Sequence, residues 1–436
     1  MHGHRPRTPE TERSRRWFMN KALLAGGVAA MATMTGCSSS SSDAAASASY
    51  GGPGGMPPAG PGGGGGGMGP GASEVKYADF VGVTTDGKVL EDLYSVHATD
   101  VSTDKVVKAA QAFLDGLTAA EREASVFEVD DDEWPAWSNV DGYQREGARM
   151  GDLTEKQRNL GYALLGVALS AEGLAQTRNI MKLNAFLGDY SGGGRDTLTE
   201  GAYFFTFMGT PSTTEPWGFQ YEGHHVAVNY FVLGDQVVMT PTFMGSEPTS
   251  ATYNGEKITL FKKETTAGLA LLRSLTDAQR RKAISSETKA GDNLKAGAGQ
   301  DNLELAYQGL VAAGFTDAQK SSLLDLVRVY VGTMDGAHAE VKMKEVEEHL
   351  DATYFYWIGE TKDSSAFYYR VHSPVVLIEY DAQSPLAYGN KDSGGGGGMG
   401  GPGGTPTQQH IHTVIRTPNG RDYGVDLLKL HLENDH

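Results

Sequence analysis

The sequence predicts an α+β fold, a mainly antiparallel sheet with helices packed around it. Three observations carry this. One helix-start device recurs four times, runs of aromatic and β-branched residues are joined by tight turns, and helices and strands fall into separate groups.

The helix starts are Leu117-Thr118-Ala119-Ala120-Glu121, Leu153-Thr154-Glu155-Lys156-Gln157, Leu275-Thr276-Asp277-Ala278-Gln279 and Phe315-Thr316-Asp317-Ala318-Gln319. Each is a capping box: the Thr hydroxyl accepts from a first-turn N–H, and the Glu or Gln three residues on reaches back. After the second, Leu160, Ala163, Leu164, Val167 and Ala168 form a core-facing stripe. The boxes are too unevenly spaced for a solenoid.

Strands are expected at 202–208, 218–233, 236–243, 354–358, 367–372, 375–381 and 410–416. Gly234-Asp235 predicts a hairpin between two of them, and Ser373-Pro374 joins another pair. A Gly-rich insert near 389–408 reads as a surface loop.

The N-terminus reads as an export signal. Ser14-Arg15-Arg16-Trp17-Phe18-Met19-Asn20-Lys21 resembles a twin-arginine motif, and Met34-Thr35-Gly36-Cys37 resembles a lipobox. The stretch between them is short, Ala/Gly-rich and unsuited to spanning a membrane. Residues 1–37 are therefore expected to be a signal peptide, with Cys37 lipidated. Residues 38–73, rich in Ser, Ala, Gly and Pro, would be a tether, and 74–436 a single globular domain. The expected location is extracytoplasmic, on the cell membrane or the outer membrane, with the membrane as partner through Cys37.

Cys37 is the only cysteine, so a lipidated chain has no thiol for a disulfide, a nucleophile or a metal. The whole chain carries 37 basic and 54 acidic residues. Removing the first 37 residues takes away six basic and two acidic ones and leaves 31 against 52, net −21. That balance disfavours nucleic acid and anionic lipid as partners.

Chemistry then rests on histidine and carboxylate. In His410-Ile411-His412 the two imidazoles share one face of a strand with Val414 and Arg416. Two convergent imidazoles are half of a common metal site, although a solvent-exposed pair is the plainer reading. Glu222-Gly223-His224-His225, read as the opening of a long strand, places Glu222 and His224 with Val226 and Val228, and His225 with Ala227 and Asn229. One of the two histidines could then meet the His410/His412 pair, or His224 is a satisfied core histidine. Glu379, within an apolar strand, demands a partner. Arg370 on the preceding strand provides one, as an ion pair or, with Glu379 as base and Arg370 as substrate clamp, as catalytic machinery.

These blocks also carry a resemblance. Arg149 to Thr154, Met208 to Ser212, Trp217 to His225, Thr240 to Gly245, Tyr368 to Pro374, Ile378 to Asp381, His410 to Arg416 and Asp422 to Leu428 resemble the bacterial family known as domain of unknown function 3500. Ser373 stands where that pattern has glycine. The resemblance implies an exported or lipid-anchored protein and brings no activity with it.

The favoured expectation is a divalent metal (Zn, Cu, Fe or Mn) held by His410, His412, one of His224 and His225, and Glu379 or Glu222, with hydrolytic or redox chemistry. The alternative is a non-catalytic protein, either binding a small-molecule or cell-envelope ligand through its aromatic strands or structural in the envelope.

Overall fold

The structure, a computed structural model, describes residues 82–84, 88–90, 92–388 and 404–434. The signal segment, Cys37, the tether and residues 389–403 of the Gly-rich insert lie outside them.

The described chain opens with α1 (Asp104–Gly116), α2 (Ala119–Glu123), β1 (Val126–Phe127), β2 (Ala148–Arg149), α3 (Glu155–Ala168) and α4 (Ala171–Tyr190). Five strands follow: β3 (Tyr203–Met208), β4 (Trp217–Gly223), β5 (Val226–Leu233), β6 (Gln236–Val238) and β7 (Thr242–Ser246). A separate hairpin, β8 (Ser250–Tyr253) with β9 (Glu256–Thr259), leads to the second half. That half holds α5 (Lys262–Ser274), α6 (Asp277–Ala283), β10 (Ile284–Ser286), β11 (Leu310–Val311), α7 (Asp317–Val331) and α8 (Gly336–Glu348). It continues through β12 (Tyr354–Gly359), β13 (Phe367–His372), β14 (Leu377–Ala382) and β15 (Ile411–Arg416) to a last helix, α9 (Val425–Asn434).

All four capping boxes form. Thr118, Thr154, Thr276 and Thr316 are the N-caps of α2, α3, α6 and α7, each with the reciprocal Glu or Gln bond.

The large sheet runs β1-β3-β4-β5-β7-β15-β14-β13-β12-β10, with β2, β11 and β6 added on β3, β12 and β5. It is mixed: β1 on β3 and β10 on β12 are parallel, while the pairings between them are antiparallel. The expected antiparallel sheet is met only in part, because in each half a short strand leaving a helix forms the edge and lies parallel to its neighbour, β3 or β12.

The strand order reads alike from both ends. Each half supplies two helices, a parallel edge strand, a short antiparallel strand, two more helices and three strands joined by hairpins. The registers superpose Phe207 on Trp357, Tyr221 on Val371 and Tyr230 on Tyr380. β7 and β15 meet in the middle, where Thr242 faces Ile415. The fold is thus two copies of one unit related by a pseudo-twofold axis.

Strand alternation gives this sheet two unlike faces. One carries Phe205, Phe207, Phe219, Tyr221, Tyr369 and Tyr380 into the main core with the helices. Phe113 of α1 packs on Phe205 at 4.9 Å. Tyr369 donates to Glu264 O at 3.0 Å on the α5 side. The other face carries Gln220, Glu222 and Asn229 in the first half, and Arg370, His372, Glu379, Asp381, His412 and Arg416 in the second, all buried. Irregular segments cover that polar face, residues 128–147 over one half and 287–309 over the other.

The expected strand at 218–233 is divided. His224 and His225 form a two-residue turn between β4 and β5, with His225 at φ 68°. Glu222 therefore pairs with Ala227 and lies on the polar face, not with Val226 and Val228. The expected 236–243 strand likewise separates into β6 and β7. At the β13–β14 turn, the Ser373 hydroxyl accepts from Val375 N and Val376 N at 3.2 and 3.1 Å, closing the turn without glycine.

Candidate metal centre

Three imidazoles converge where β15 begins, β7 ends and the β4–β5 turn comes back. One ring nitrogen each from His225, His410 and His412 can be chosen so that all lie within 4.8 Å of one another. His410 Nε2 and His412 Nε2 are 3.0 Å apart. The two side chains meet because residues i and i+2 lean to one side of the chain. His225 joins them because its left-handed backbone turns the ring inward, with ring centroids 5.1 Å from His412 and 5.5 Å from His410.

The surroundings build the site. His225 O accepts from Gly245 N at 2.8 Å, tying the turn to β7. Gly245 leaves room for two rings, since a Cβ there would lie 2.7 Å from His412 Cδ2 and 3.1 Å from His225 Cδ2. Phe243 packs edge-on against His412 at 5.1 Å. His410 Nδ1 is 2.9 Å from Ser384 O. A carbonyl only accepts, so in the neutral ring Nδ1 carries the proton and Nε2 keeps its lone pair.

Glu247 stands behind His410, with Oε2 3.8 Å from Nδ1. Its Oε1 accepts from Leu386 N, Ala387 N and Tyr388 N at 2.8, 2.7 and 2.6 Å. Glu247 carries no sequence signal of its own, because its role arises only when the 384–388 turn folds over β7.

Burial sets the protonation. It holds the His225 and His412 rings well below the usual histidine range, with repulsion from neighbouring imidazoles adding to the effect. Neutral imidazoles are the form that binds metal. A tetrahedral ion at the ~2.0–2.1 Å zinc–nitrogen length separates its ligand nitrogens by about 3.3 Å. The cluster lies within a small side-chain adjustment of that spacing.

The remaining sequence candidates sit elsewhere. His224 stacks on His225 at 3.8 Å, but its Nδ1 meets Asn184 Oδ1 at 2.8 Å. The Asn184 amide donates to Thr197 O and Thr199 O, so its oxygen is the acceptor and His224 the donor. Burial brings the His224 pKa down to about 3. Glu222 accepts from Ser138 N at 2.9 Å and from Arg145 Nε at 3.2 Å, which occupies it away from the cluster.

Glu379 and Arg370 are Cα partners across β13–β14, as the hairpin implies. Their side chains do not make the expected ion pair. Glu379 accepts from Lys295 N at 3.0 Å, from Ala296 N at 2.7 Å and from the Tyr368 hydroxyl. Burial nonetheless pushes its carboxyl above the usual range. Its neighbour Asp381 accepts from Asn293 N and Leu294 N at 2.8 and 3.0 Å and faces Lys289 Nζ at 3.0 Å. Arg416 donates to Ala296 O and Gly297 O, both at 2.8 Å. Glu379 is thus one of three buried charges that hold the backbone of the 287–309 segment, and neither it nor Arg370 is part of the imidazole cluster.

Residues 99–425 match a family described as "Protein of unknown function (DUF3500)". No curated protein and no solved structure matches the chain.

Proposed function

Since the chain belongs to the DUF3500 family, whose description carries no activity, we propose from the site that His225, His410 and His412 bind one divalent transition-metal ion and that the protein is a metal-dependent enzyme of hydrolytic type. The supporting observation is the set of three buried imidazoles whose nitrogens lie within 4.8 Å of one another. Structural zinc sites are closed by four protein ligands, whereas catalytic sites use three and leave a position open. Three histidines without a thiol belong to the second kind. When bound, such an ion supplies Lewis acidity at the open position.

The chain's own residues do the rest. Ser384 O fixes the His410 ring and its tautomer, Glu247 adds a negative charge behind it, and Gly245 admits the rings. Phe243 shields His412 on one side.

Elemental analysis of protein isolated by its native export route tests the reading. One equivalent of zinc-class metal is expected, and none in the His410→Ala/His412→Ala variant. Stoichiometric copper or iron would move the chemistry from hydrolysis to electron transfer. Absence of metal would leave the 3.0 Å contact as an imidazole–imidazole hydrogen bond, and retention in the double variant would place the ion elsewhere.

We also propose that the folded part is exported and tethered by a lipid on Cys37. Support comes from the residues around Arg15-Arg16 and Gly36-Cys37 and from the single cysteine. No helix among the described residues is long and apolar enough to cross a membrane. Wild type should enter the detergent phase on Triton X-114 partition and Cys37→Ala the aqueous phase. A membrane-fraction protein with an unmodified Cys37 would end this reading.

A further inference from the structure

Arg370, whose charge is felt by its Cα partner Glu379, is a buried guanidinium that makes no ion pair. It is 2% exposed, and among the described residues no carboxylate lies within ion-pair distance of it. Its contacts are Gln308 Oε1 at 2.8 Å, Ala306 O at 3.5 Å and the face of the Tyr356 ring at 5.1 Å. Its Nε–H has no partner. Buried charges are ordinarily paired, because taking an ion out of water costs several kcal/mol.

His372, two residues on and on the same face, is also unmatched. It is 1% exposed, and neither ring nitrogen has a partner. Burial, then the charge of Arg370, brings its pKa down to about 3. The Tyr307 ring lies over it at 4.5 Å and stacks on Tyr354 at 4.9 Å. Three adjoining buried polar atoms without partners are unusual in a folded interior.

The pseudo-twofold supplies an internal comparison. Gln220 and Glu222 are the counterparts of Arg370 and His372. Gln220 donates to Trp134 O and Asn229 Oδ1, both at 2.6 Å, and Glu222 takes Arg145 and Ser138 N. Residues 128–147 thus satisfy their half of the polar face. Residues 287–309 satisfy Glu379, Asp381 and Arg416, but they reach Arg370 only through Gln308 and Ala306 and leave its Nε–H and both His372 nitrogens without partners.

We propose that Arg370 and His372 form an oxyanion-binding site, taking a carboxylate or phosphate group between the guanidinium and the imidazole N–H. Gln308 Oε1 stands where one anion oxygen would go, and Gln308 is exposed. Residues Ala306 to Gln308 form the roof, so the incoming oxyanion displaces the Gln308 amide and lifts Tyr307 from His372. This site does not rest on the metal reading.

The test uses chelator-treated protein, so the metal plays no part in it. Inorganic phosphate and acetate are titrated separately at constant ionic strength with chloride as reference, following the His372 ring nitrogens by NMR and the Tm. Saturable one-to-one binding of at least one anion is expected, and which one binds names the group. Gln308→Ala should tighten binding several-fold, and Arg370→Met should weaken it about tenfold or more. Arg370→Met should also keep or raise the Tm in anion-free buffer, because an unpaired charge is removed. No saturable shift with either anion, or equal binding by Arg370→Met, would overturn the proposal. So would a lowered Tm of Arg370→Met without any anion effect in the wild type.

Discussion

Glu247 Oε2 stands 3.8 Å from His410 Nδ1, while its other oxygen accepts three successive backbone N–H groups from Leu386 to Tyr388. A carboxylate so placed stands behind a ring that Ser384 O already orients. Loss of such an outer partner commonly costs ~10–100-fold in metal affinity. Glu247→Gln should weaken metal binding by about that factor, measured by competition with a chromophoric chelator. An unchanged affinity would leave Glu247 only the task of holding the turn.

Gly245 tests how tightly the rings are packed. A methyl group there would meet His412 Cδ2 at 2.7 Å and Ile411 O at 3.0 Å. The strand backbone cannot retreat without breaking its pairing to β15, so the imidazole must move. Gly245→Ala should cost about 1–3 kcal/mol in urea unfolding and reduce metal stoichiometry below one. A variant as stable as the wild type that binds a full equivalent would show that the site tolerates displacement of His412.

Glu133 gives a pH signature outside the metal centre. Burial, aided by the nearby Glu222 charge, raises its pKa from the ordinary 4.5 to about 8. Between these values the folded state holds a proton that the unfolded state has released, so stability falls as pH rises from about 4.5 to about 8. Below that window the group contributes nothing, and above it the loss is complete. Glu133→Gln should remove this decline and be more stable at pH 8 by a few kcal/mol, roughly 3–5. Parallel stability–pH curves for variant and wild type would refute the shift.

What the sequence disclosed was local. Thr118, Thr154, Thr276 and Thr316 begin helices because a capping box is complete within four residues. The shared face of His410 and His412 follows from strand periodicity alone, and the rings do meet. The His224–His225 turn was hidden, since a left-handed histidine leaves no signal like that of Gly234. The internal pseudo-symmetry is hidden too, because counterparts such as Glu222 and His372 differ in residue type while their backbone pairing matches. Two of the partners of Glu379 are hidden as well, being backbone N–H groups some eighty residues earlier, which side-chain types do not announce.

The capping boxes are also tied to one another across each helix pair, a second mark of the pseudo-twofold symmetry. Gln157 Nε2 donates to Glu121 Oε2 at 2.7 Å and Gly116 O at 3.1 Å. Gln319 Nε2 donates to Gln279 Oε1 at 3.0 Å and Ser274 O at 2.9 Å. In each half the later box therefore grips both the earlier box and the end of the helix before it. A lone cap is worth ~1 kcal/mol, but Gln157 and Gln319 are buried, and truncation strands their partners as well. Gln157→Ala and Gln319→Ala should each cost roughly 2–3 kcal/mol in urea unfolding, against about 1 kcal/mol for Gln279→Ala. The Gln279/Gln319 double variant should lose less than the sum of the singles, since each single already removes the two reciprocal bonds the side chains share. Strict additivity would mean that the two boxes act independently and that their contact carries no stability.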